Sequence, residues 1–130
     1  MPTAYKPREY QQKIADAAAQ ANTLVVLPTG LGKTMIAALV AKARLEKFPK
    51  GKVVVLAPTK PLTLQHYKAF EEILSPEPKE IALLTGEIAP EERSYLWRRS
   101  RFVFATPQTV RNDLRHGRVD LNDVALIVFD

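Results

Sequence analysis

The sequence predicts an α/β fold of three layers, a parallel β-sheet with helices against both faces. Three observations predict it. Apolar runs such as Val53 to Ala57 carry no polar alternation, so both of their faces are expected to be covered, as in a parallel sheet. Segments with apolar residues at helical spacing separate those runs, and strands that alternate with helices pair in parallel through crossover connections. One junction, Leu24 to Thr34, reads as strand, glycine loop and helix in direct succession, the local architecture of a phosphate cradle.

Each element has its own signal. Pro7 is suited to the first turn of a helix, and Tyr10, Ile14, Ala17, Ala18 and Ala21 then share one face. Leu24 to Leu27 reads as a buried strand. The helix from Lys33 to about Lys47 is expected to bury Met35, Ile36, Leu39, Val40 and Ala43. Val53 to Ala57 is the second strand, ended by Pro58. A helix from about Leu62 to Leu74 carries Tyr67, Phe70 and Leu74 on its core side. Ile81 to Leu84 is the third strand. Pro90 opens a helix to about Arg99, with Glu91 and Glu92 at its positive end. Arg101 to Ala105 is the fourth strand. Thr106 and Pro107 supply the cap and first position of a helix that Gly117 stops after His116. Val124 to Phe129 is the fifth strand, and Asp130 follows it. No repeat or linker interrupts the series, so residues 1–130 read as one unit.

Composition narrows the function classes. The chain has no cysteine, which excludes disulfides and thiolate metal sites and makes the reducing cytoplasm the expected compartment. No apolar run approaches the roughly 20 residues that span a bilayer, so no membrane partner is expected. The net charge of +5 suits a polyanionic partner without requiring one.

Chemistry concentrates in Pro28-Thr29-Gly30-Leu31-Gly32-Lys33-Thr34. Gly30 and Gly32 let the loop curl and aim its amides inward. The helix that follows presents free N–H groups and a positive dipole end to the same anion. Lys33 can reach the β- and γ-phosphates of a nucleotide, and the Thr34 hydroxyl can ligate Mg²⁺. The general pattern has a glycine where this chain has Leu27. Asp130, at the end of an apolar strand, suits the second Mg²⁺-holding carboxylate of such sites; the plainer alternative is a carboxylate capping a turn. Ligands on open parallel sheets gather at the strands' carboxyl ends, where Pro28, Pro58, Thr85, Thr106 and Asp130 all fall.

Six segments together resemble one family. They are Arg8-Glu9-Tyr10-Gln11; Leu27 to Thr34; Ala57-Pro58-Thr59-Lys60-Pro61-Leu62 with Gln65; Leu84-Thr85-Gly86; Ala105-Thr106-Pro107-Gln108-Thr109; and Val128-Phe129-Asp130. In this order they resemble the first RecA-like, P-loop nucleotide-hydrolysing domain of superfamily 2 helicases, and within it the archaeal Hef and Fanconi-anaemia M group. In that family the residue at the Leu27 position need not be glycine.

The resemblance implies an ATP-dependent DNA helicase or translocase with ATP and Mg²⁺ as cofactors. It implies nucleotide contacts from Arg8, Gln11, Thr29, Gly30, Leu31, Gly32, Lys33 and Thr34, with Arg8 and Gln11 reading adenine. Lys33 and Asp130 become the catalytic pair, and Thr34 and Asp130 the metal ligands. Pro58, Thr59, Lys60, Thr85, Gly86, Thr106, Pro107 and Gln108 become contacts to one nucleic-acid strand, whose phosphates such groups hold without reading sequence. Arg8 and Gln11 could instead simply open a helix, and Thr106 could simply cap one. The implied substrate is branched or single-stranded DNA, with RNA open as an alternative.

The family also continues past the Asp130 position with a water-orienting Glu, a further strand and a second RecA-like domain. Residues 1–130 therefore read as part of such a domain, expected to be inactive alone. A catalytically inactive fragment, binding nucleotide or nucleic acid weakly at most, is the competing function. With the further strand's slot unfilled, Leu24–Leu27 and Val124–Phe129 are expected to pair directly, to take a strand from a second copy, or to let the C-terminal strand detach; direct closure would displace Asp130 from Thr34, and no properly formed Mg²⁺ site is then expected. The remaining features read more plainly. Arg93, Arg98, Arg99 and Arg101 around Trp97 suit a solvated helix face, and His66 and His116 suit solvent or packing roles.

Overall fold

A computed structural model describes residues 6–20 and 32–130. Its helices are α1 (Glu9–Ala18), α2 (Lys33–Lys47), α3 (Lys60–Leu74), α4 (Pro90–Arg99) and α5 (Pro107–Arg115). Its strands are β1 (Lys52–Leu56), β2 (Ile81–Leu84), β3 (Phe102–Ala105) and β4 (Val124–Phe129). The strand expected at Leu24–Leu27 lies outside the described residues. Among those residues, no helix is long and apolar enough to cross a membrane.

The four strands form one parallel sheet in the order β2-β3-β1-β4. Period-two alternation sorts their side chains between two dry faces. Val53, Val55, Ile81, Phe102 and Phe104 pack against Ala38 and Ala41 of α2 and Phe70 of α3. Val54, Leu56, Ala82, Leu84, Val103 and Ala105 pack against Trp97 of α4 and Val110 of α5. The chain runs outward from β1 to β2 through α3, then back through β3 to β4 through α4 and α5. Crossovers of one hand place helices on opposite faces when that direction reverses, which is the distribution seen. Phe70 anchors the first face, edge-on to Phe104 at 5.1 Å and to Phe102 at 6.4 Å. Tyr67 also meets Phe104 edge-on, at 5.6 Å, so both aromatics belong to the core as the sequence predicts.

The second helical layer stops short of β4, where Phe129 is 74% exposed and Ile127 39% exposed. β4 also carries an irregularity. Lys52 pairs with Val124 and Val53 with Leu126, so Ala125 is an extra residue between successive pairs. Its carbonyl accepts from Arg44 Nε at 3.1 Å, and its Cβ lies 2.6 Å from where a Cβ on Gly51 would stand. Any side chain at residue 51 would force the bulge outward.

Several local expectations need correction. α1 begins at Glu9 with Arg8 as its N-cap, so Pro7 precedes the helix instead of opening it. Its inward face is Gln11 and Ala15, flanked by Ile14 and Ala18, while Ala17 is exposed. Apolarity alone mistook this face because its most buried position is an amide. In α2 the fully buried positions include Ala38 and Ala41, whereas Leu39 and Ala43 are only partly covered. The helix lies between α1 and the sheet, and small residues let it sit close to both.

The arginine cluster around Trp97 also departs from expectation. Arg93 is 5% exposed and Trp97 2% exposed, and both converge on Asp113 of α5, which is 0% exposed. Arg93 Nε lies 3.1 Å from both carboxylate oxygens, and its Nη2 donates to Oδ1 at 2.9 Å. Trp97 Nε1 donates to Oδ2 at 2.8 Å, and Arg118 Nη1 to Oδ1 at 3.2 Å. Arg93 Nη1 then reaches back to the Ile88 carbonyl at 2.6 Å. A buried carboxylate is tolerable because its lone pairs are met by several donors. Lys52 is similarly buried, and its ammonium donates to the carbonyls of Trp97 and Ser100 at the carboxyl end of α4. Burial pushes its pKa down, and Asp123 partly offsets that.

Burial also pushes the Asp113 carboxyl up, but the hydrogen bonds from Arg93, Trp97 and Arg118 outweigh it, and the net shift is downward. A carboxyl depressed on folding stabilises the fold fully above the ordinary carboxylate range and loses that contribution as pH falls beneath it. Asp113→Ala leaves two guanidinium groups facing a void and should cost about 3–5 kcal/mol in urea unfolding at pH 7. The parent's excess stability over Asp113→Ala should shrink as the same measurement is repeated toward acid. An equal deficit at every pH would contradict the ionised network.

Candidate functional site

A parallel sheet delivers every strand's carboxyl end to the same edge, and the predicted site residues that are described collect there. They fall into two groups.

The first surrounds the start of α2. Gly32 occupies its N-cap position with φ 72°, in the left-handed region. Two constraints require glycine here. The dihedral disfavours any side chain, and a Cβ would lie 2.3 Å from Gln11 Nε2. That closeness reflects a contact, since Gln11 Nε2 donates to the Gly32 carbonyl at 3.3 Å, while Gln11 Oε1 accepts from the Arg8 amide at 2.8 Å. Gln11, 6% exposed, therefore ties the start of α1 to the start of α2. Lys33 projects from the first turn of α2 and is exposed. The Met35 and Ile36 amides donate to the Gly32 carbonyl at 3.1 and 3.4 Å, whereas no described residue accepts from the Lys33 and Thr34 amides, the pair that a helix start offers to an anion. Thr29, Gly30 and Leu31, predicted to complete the loop, lie outside the described residues, as does Pro28.

Thr34 and Asp130 are linked, and held apart, by a residue that sequence reasoning gave only a solvent or packing role. His66, in the second turn of α3, stands between them. Its Nδ1 is 3.3 Å from Thr34 Oγ1 and its Nε2 is 2.7 Å from Asp130 Oδ2. His66 has a 12% exposed side chain and Asp130 a 45% exposed one. An ionised carboxylate only accepts, so Nε2 carries the proton; in the neutral ring Nδ1 then accepts from the Thr34 hydroxyl. Both contacts are satisfied in one tautomer. The Thr34 oxygen keeps its lone pairs, and no described residue hydrogen-bonds Asp130 Oδ1. A hydroxyl oxygen and a carboxylate oxygen are the hard donors that Mg²⁺ prefers. Among the described residues, no group of three or more His, Cys, Asp or Glu could hold a metal by itself. Oxygens on opposite nitrogens of one imidazole lie too far apart to be direct ligands of one Mg²⁺, whose ligands sit at about 2.1 Å, so Mg²⁺ at Thr34 would complete its shell with water and phosphate oxygens.

The second group lines the ends of β1, β2 and β3. Thr59 caps α3, its hydroxyl accepting from the Leu62 amide at 3.3 Å. Lys60 forms an ion pair with Glu87 across the edge, tying the loop after β1 to the loop after β2. The hydrogen bond and charge of Lys60 hold the Glu87 carboxyl below its ordinary value. Thr85 accepts from the Glu87 amide at 3.3 Å. Gly86 is exposed, and a Cβ there would meet nothing within 4 Å, so the fold itself does not demand glycine. Thr106 holds the N-cap position of α5, but its hydroxyl pairs with Thr109 Oγ1 at 3.2 Å instead of capping a backbone amide. Pro58, Pro107 and Gln108 are exposed.

Residues 8–130 match the DEAD/DEAH box helicase family. The chain belongs to this family. Its sheet superimposes on the helicase domain of Pyrococcus furiosus Hef with a TM-score of 0.91 at 53% identity, covering 95% of this chain and 26% of that one. The DEAD/DEAH helicase relatives include the DEAD-box ATP-dependent DNA helicase Fancm of Drosophila melanogaster, 47% identical over 107 residues, 82% of this chain and 7% of that protein. The DEAD-box ATP-dependent RNA helicase FANCM of Arabidopsis thaliana is 41% identical over 123 residues, 95% of this chain and 9% of that protein. The chain thus spans less than a tenth of these two relatives. A resemblance to the Hef and Fanconi-anaemia M group is what the six sequence segments imply, and the RecA-like architecture is the one found.

Gly32 provides a direct check on the site's construction. Gly32→Ala should lower stability by about 1–2 kcal/mol in urea unfolding, from its dihedral alone. Adding Gln11→Ala removes the clash but not the dihedral cost, so the double variant should stay below Gln11→Ala by the same margin. Equal stability of the two would mean that the left-handed turn is not kept.

Proposed function

We propose that the chain is the nucleotide-binding part of an ATP-dependent DNA helicase or translocase motor. One observation carries the reading: Gly32, in the left-handed region at the N-cap of α2 and tied to α1 by Gln11, starts that helix directly before Thr34 and the exposed Lys33. That arrangement gives a hydroxyl and a cation beside a helix start that favours polyphosphate. Lys33 would neutralise the β- and γ-phosphates. Arg8 would face the adenine, Gln11 would join it by exchanging its contacts with Gly32 and the Arg8 amide, and Thr29 to Gly32 would wrap the phosphates. Mg²⁺ would be held by Thr34, with Asp130 joining it only once His66 no longer stands between them, and would supply charge neutralisation at the phosphates.

The second group of residues would hold one nucleic-acid strand. Thr59, Lys60, Thr85, Gly86, Thr106 and Gln108 offer hydroxyls, a cation, a side-chain amide and a backbone free of side-chain obstruction, the groups that grip phosphate and sugar without reading bases. Pro58 and Pro107 set the starts of the loop and of α5. The open space around Gly86 supports close approach by a ligand's backbone. Relatives' names include both DNA and RNA helicases; DNA is the substrate that the sequence resemblance implies. A second RecA-like domain is the partner this reading implies.

Lys33→Ala should weaken ATP binding by roughly 2–4 kcal/mol, about 30- to 1000-fold, through loss of a charge-assisted phosphate contact. Calorimetry with ATP and Mg²⁺ reads it, and equal affinity of variant and parent would remove the cradle assignment. Single-stranded DNA should bind with an affinity that falls steeply with salt and is indifferent to sequence. Fluorescence anisotropy at two salt concentrations, with two unrelated sequences, tests this. Binding that ignores salt or prefers one sequence would contradict backbone gripping.

A further inference from the structure

We propose that the outer face of α5 carries a nucleic-acid strand onward from the sheet edge, through phosphate contacts made by Arg111, Asn112 and Arg115. The proposal rests on the strand-gripping reading above and extends it beyond Gln108.

The two sides of α5 differ in kind. Thr109, Val110 and Asp113 are its buried residues. Gln108, Arg111, Asn112 and Arg115 are exposed, and their three- and four-residue spacing aligns them in one stripe on the other side. Asp113 is the only acidic residue between Pro107 and Arg118, and its carboxylate is taken from within by Arg93, Trp97 and Arg118. The stripe therefore has no counter-charge of its own. Among the described residues, the side chains of Arg111 and Arg115 have no hydrogen-bond or ion-pair partner. Lys13, Lys60, Lys79 and Arg101, by contrast, each pair with a carboxylate.

Continuity with the edge favours a nucleic-acid strand over an acidic protein surface as the occupant. Gln108 belongs both to the edge group and to the stripe, and Thr106 lies just before it. The helical rise puts Arg111 about 4.5 Å and Arg115 about 10.5 Å beyond Gln108 along the axis. Phosphates of a stacked strand recur about every 3.4 Å, so the two guanidinium groups address phosphates past those at the edge. Each can offer two N–H groups to one phosphate and keeps its charge at any working pH. The Asn112 amide adds a donor. The Asp113 network fixes the rotation of α5 about its own axis, so the stripe faces outward before any ligand arrives.

The test reads the salt dependence of binding. Fluorescence anisotropy gives the Kd of the 130-residue chain for single-stranded oligothymidine across a salt series. Arg111→Ala with Arg115→Ala should weaken binding and lower the steepness of log Kd against log salt by about 1.4, two contacts at about 0.7 each. Arg111→Lys with Arg115→Lys keeps both charges and should recover most of the steepness. Lys42→Ala with Lys50→Ala removes the same charge from exposed positions in and after α2, on the opposite side of the sheet, and should leave the slope near the parent value. Lys60→Ala reports the edge separately and should lower the slope whether or not α5 takes part. Circular dichroism confirms that each variant is folded. An unchanged slope in folded Arg111→Ala with Arg115→Ala overturns the proposal and leaves the edge reading standing. An equal fall in the Lys42 and Lys50 variant also overturns it, since that marks net charge instead of a located contact. A parent chain whose binding ignores salt overturns the strand-gripping reading, and the role of α5 with it.

Discussion

The structure depends on one constraint: all four described strands run the same way. A parallel strand cannot return by a tight turn, so each connection must cross the sheet as a helix and re-enter from the far side. Two consequences follow. Both faces of the sheet become dry, which is why β1 contributes buried side chains to both. All carboxyl ends meet at a single edge, which is why residues as distant in sequence as Leu56 and Asp130 are neighbours there, the Asp130 amide donating to the Leu56 carbonyl at 2.9 Å. The polar loops need no fold of their own, because strand pairing positions them.

The helices on the two faces solve different problems. α2 and α3 meet the sheet through small and aromatic side chains, Ala38 and Ala41 in one and Phe70 in the other, and close packing suffices. α4 and α5 have polar residues at their centre. Asp113 gathers Arg93, Trp97 and Arg118, and Arg93 extends the network to the Ile88 carbonyl beyond β2. Apolar residues of equal volume could stabilise such a contact as well or better. What the ionic network adds is direction. It fixes the Ile88 turn and α5 relative to one another, and with them the Thr85–Glu87 and Thr106–Gln108 segments, which exposed loops with few apolar contacts would not otherwise hold.

Much of this was legible in the sequence. The strand of Ile81–Leu84, the helix of Pro90–Arg99 and the strand of Val124–Phe129 follow directly from apolar runs bounded by Pro, Gly and charge. The start of α2 at Lys33 was legible because a glycine there serves both turn and close approach. What escaped were partnerships made across elements. Nothing local to Arg93 indicates a carboxylate 20 residues later on another helix. Gln11 looked like a polar residue at a helix start, and only the closeness of α1 to Gly32 shows why it is buried. His66 lacked a partner at metal-ligand spacing in sequence, so it read as ordinary; its two partners are 32 residues before it and 64 after it. The bulge at Ala125 left no composition signal, although the bare backbone of Gly51 opposite is its counterpart.

α3 has a place in both groups of site residues. Lys60, at its first position, pairs with Glu87 on the side of β2 and β3, and His66 reaches Asp130 on the side of β4. Six residues of α-helix separate them by about 9 Å along the axis. The helix between is held by Thr63, whose buried hydroxyl donates to carbonyls of its own first turn, and by Phe70 in the core. A helix so anchored moves as a body. The surface ion pair at Lys60 is worth little on its own, since exposed pairs contribute about 0–1 kcal/mol, so it is a contact that phosphate could displace at small cost. The His66 contacts are more enclosed and join two other elements. Lys60 and His66 thus lie on one continuous stretch of helix, which fixes the two groups of site residues relative to one another.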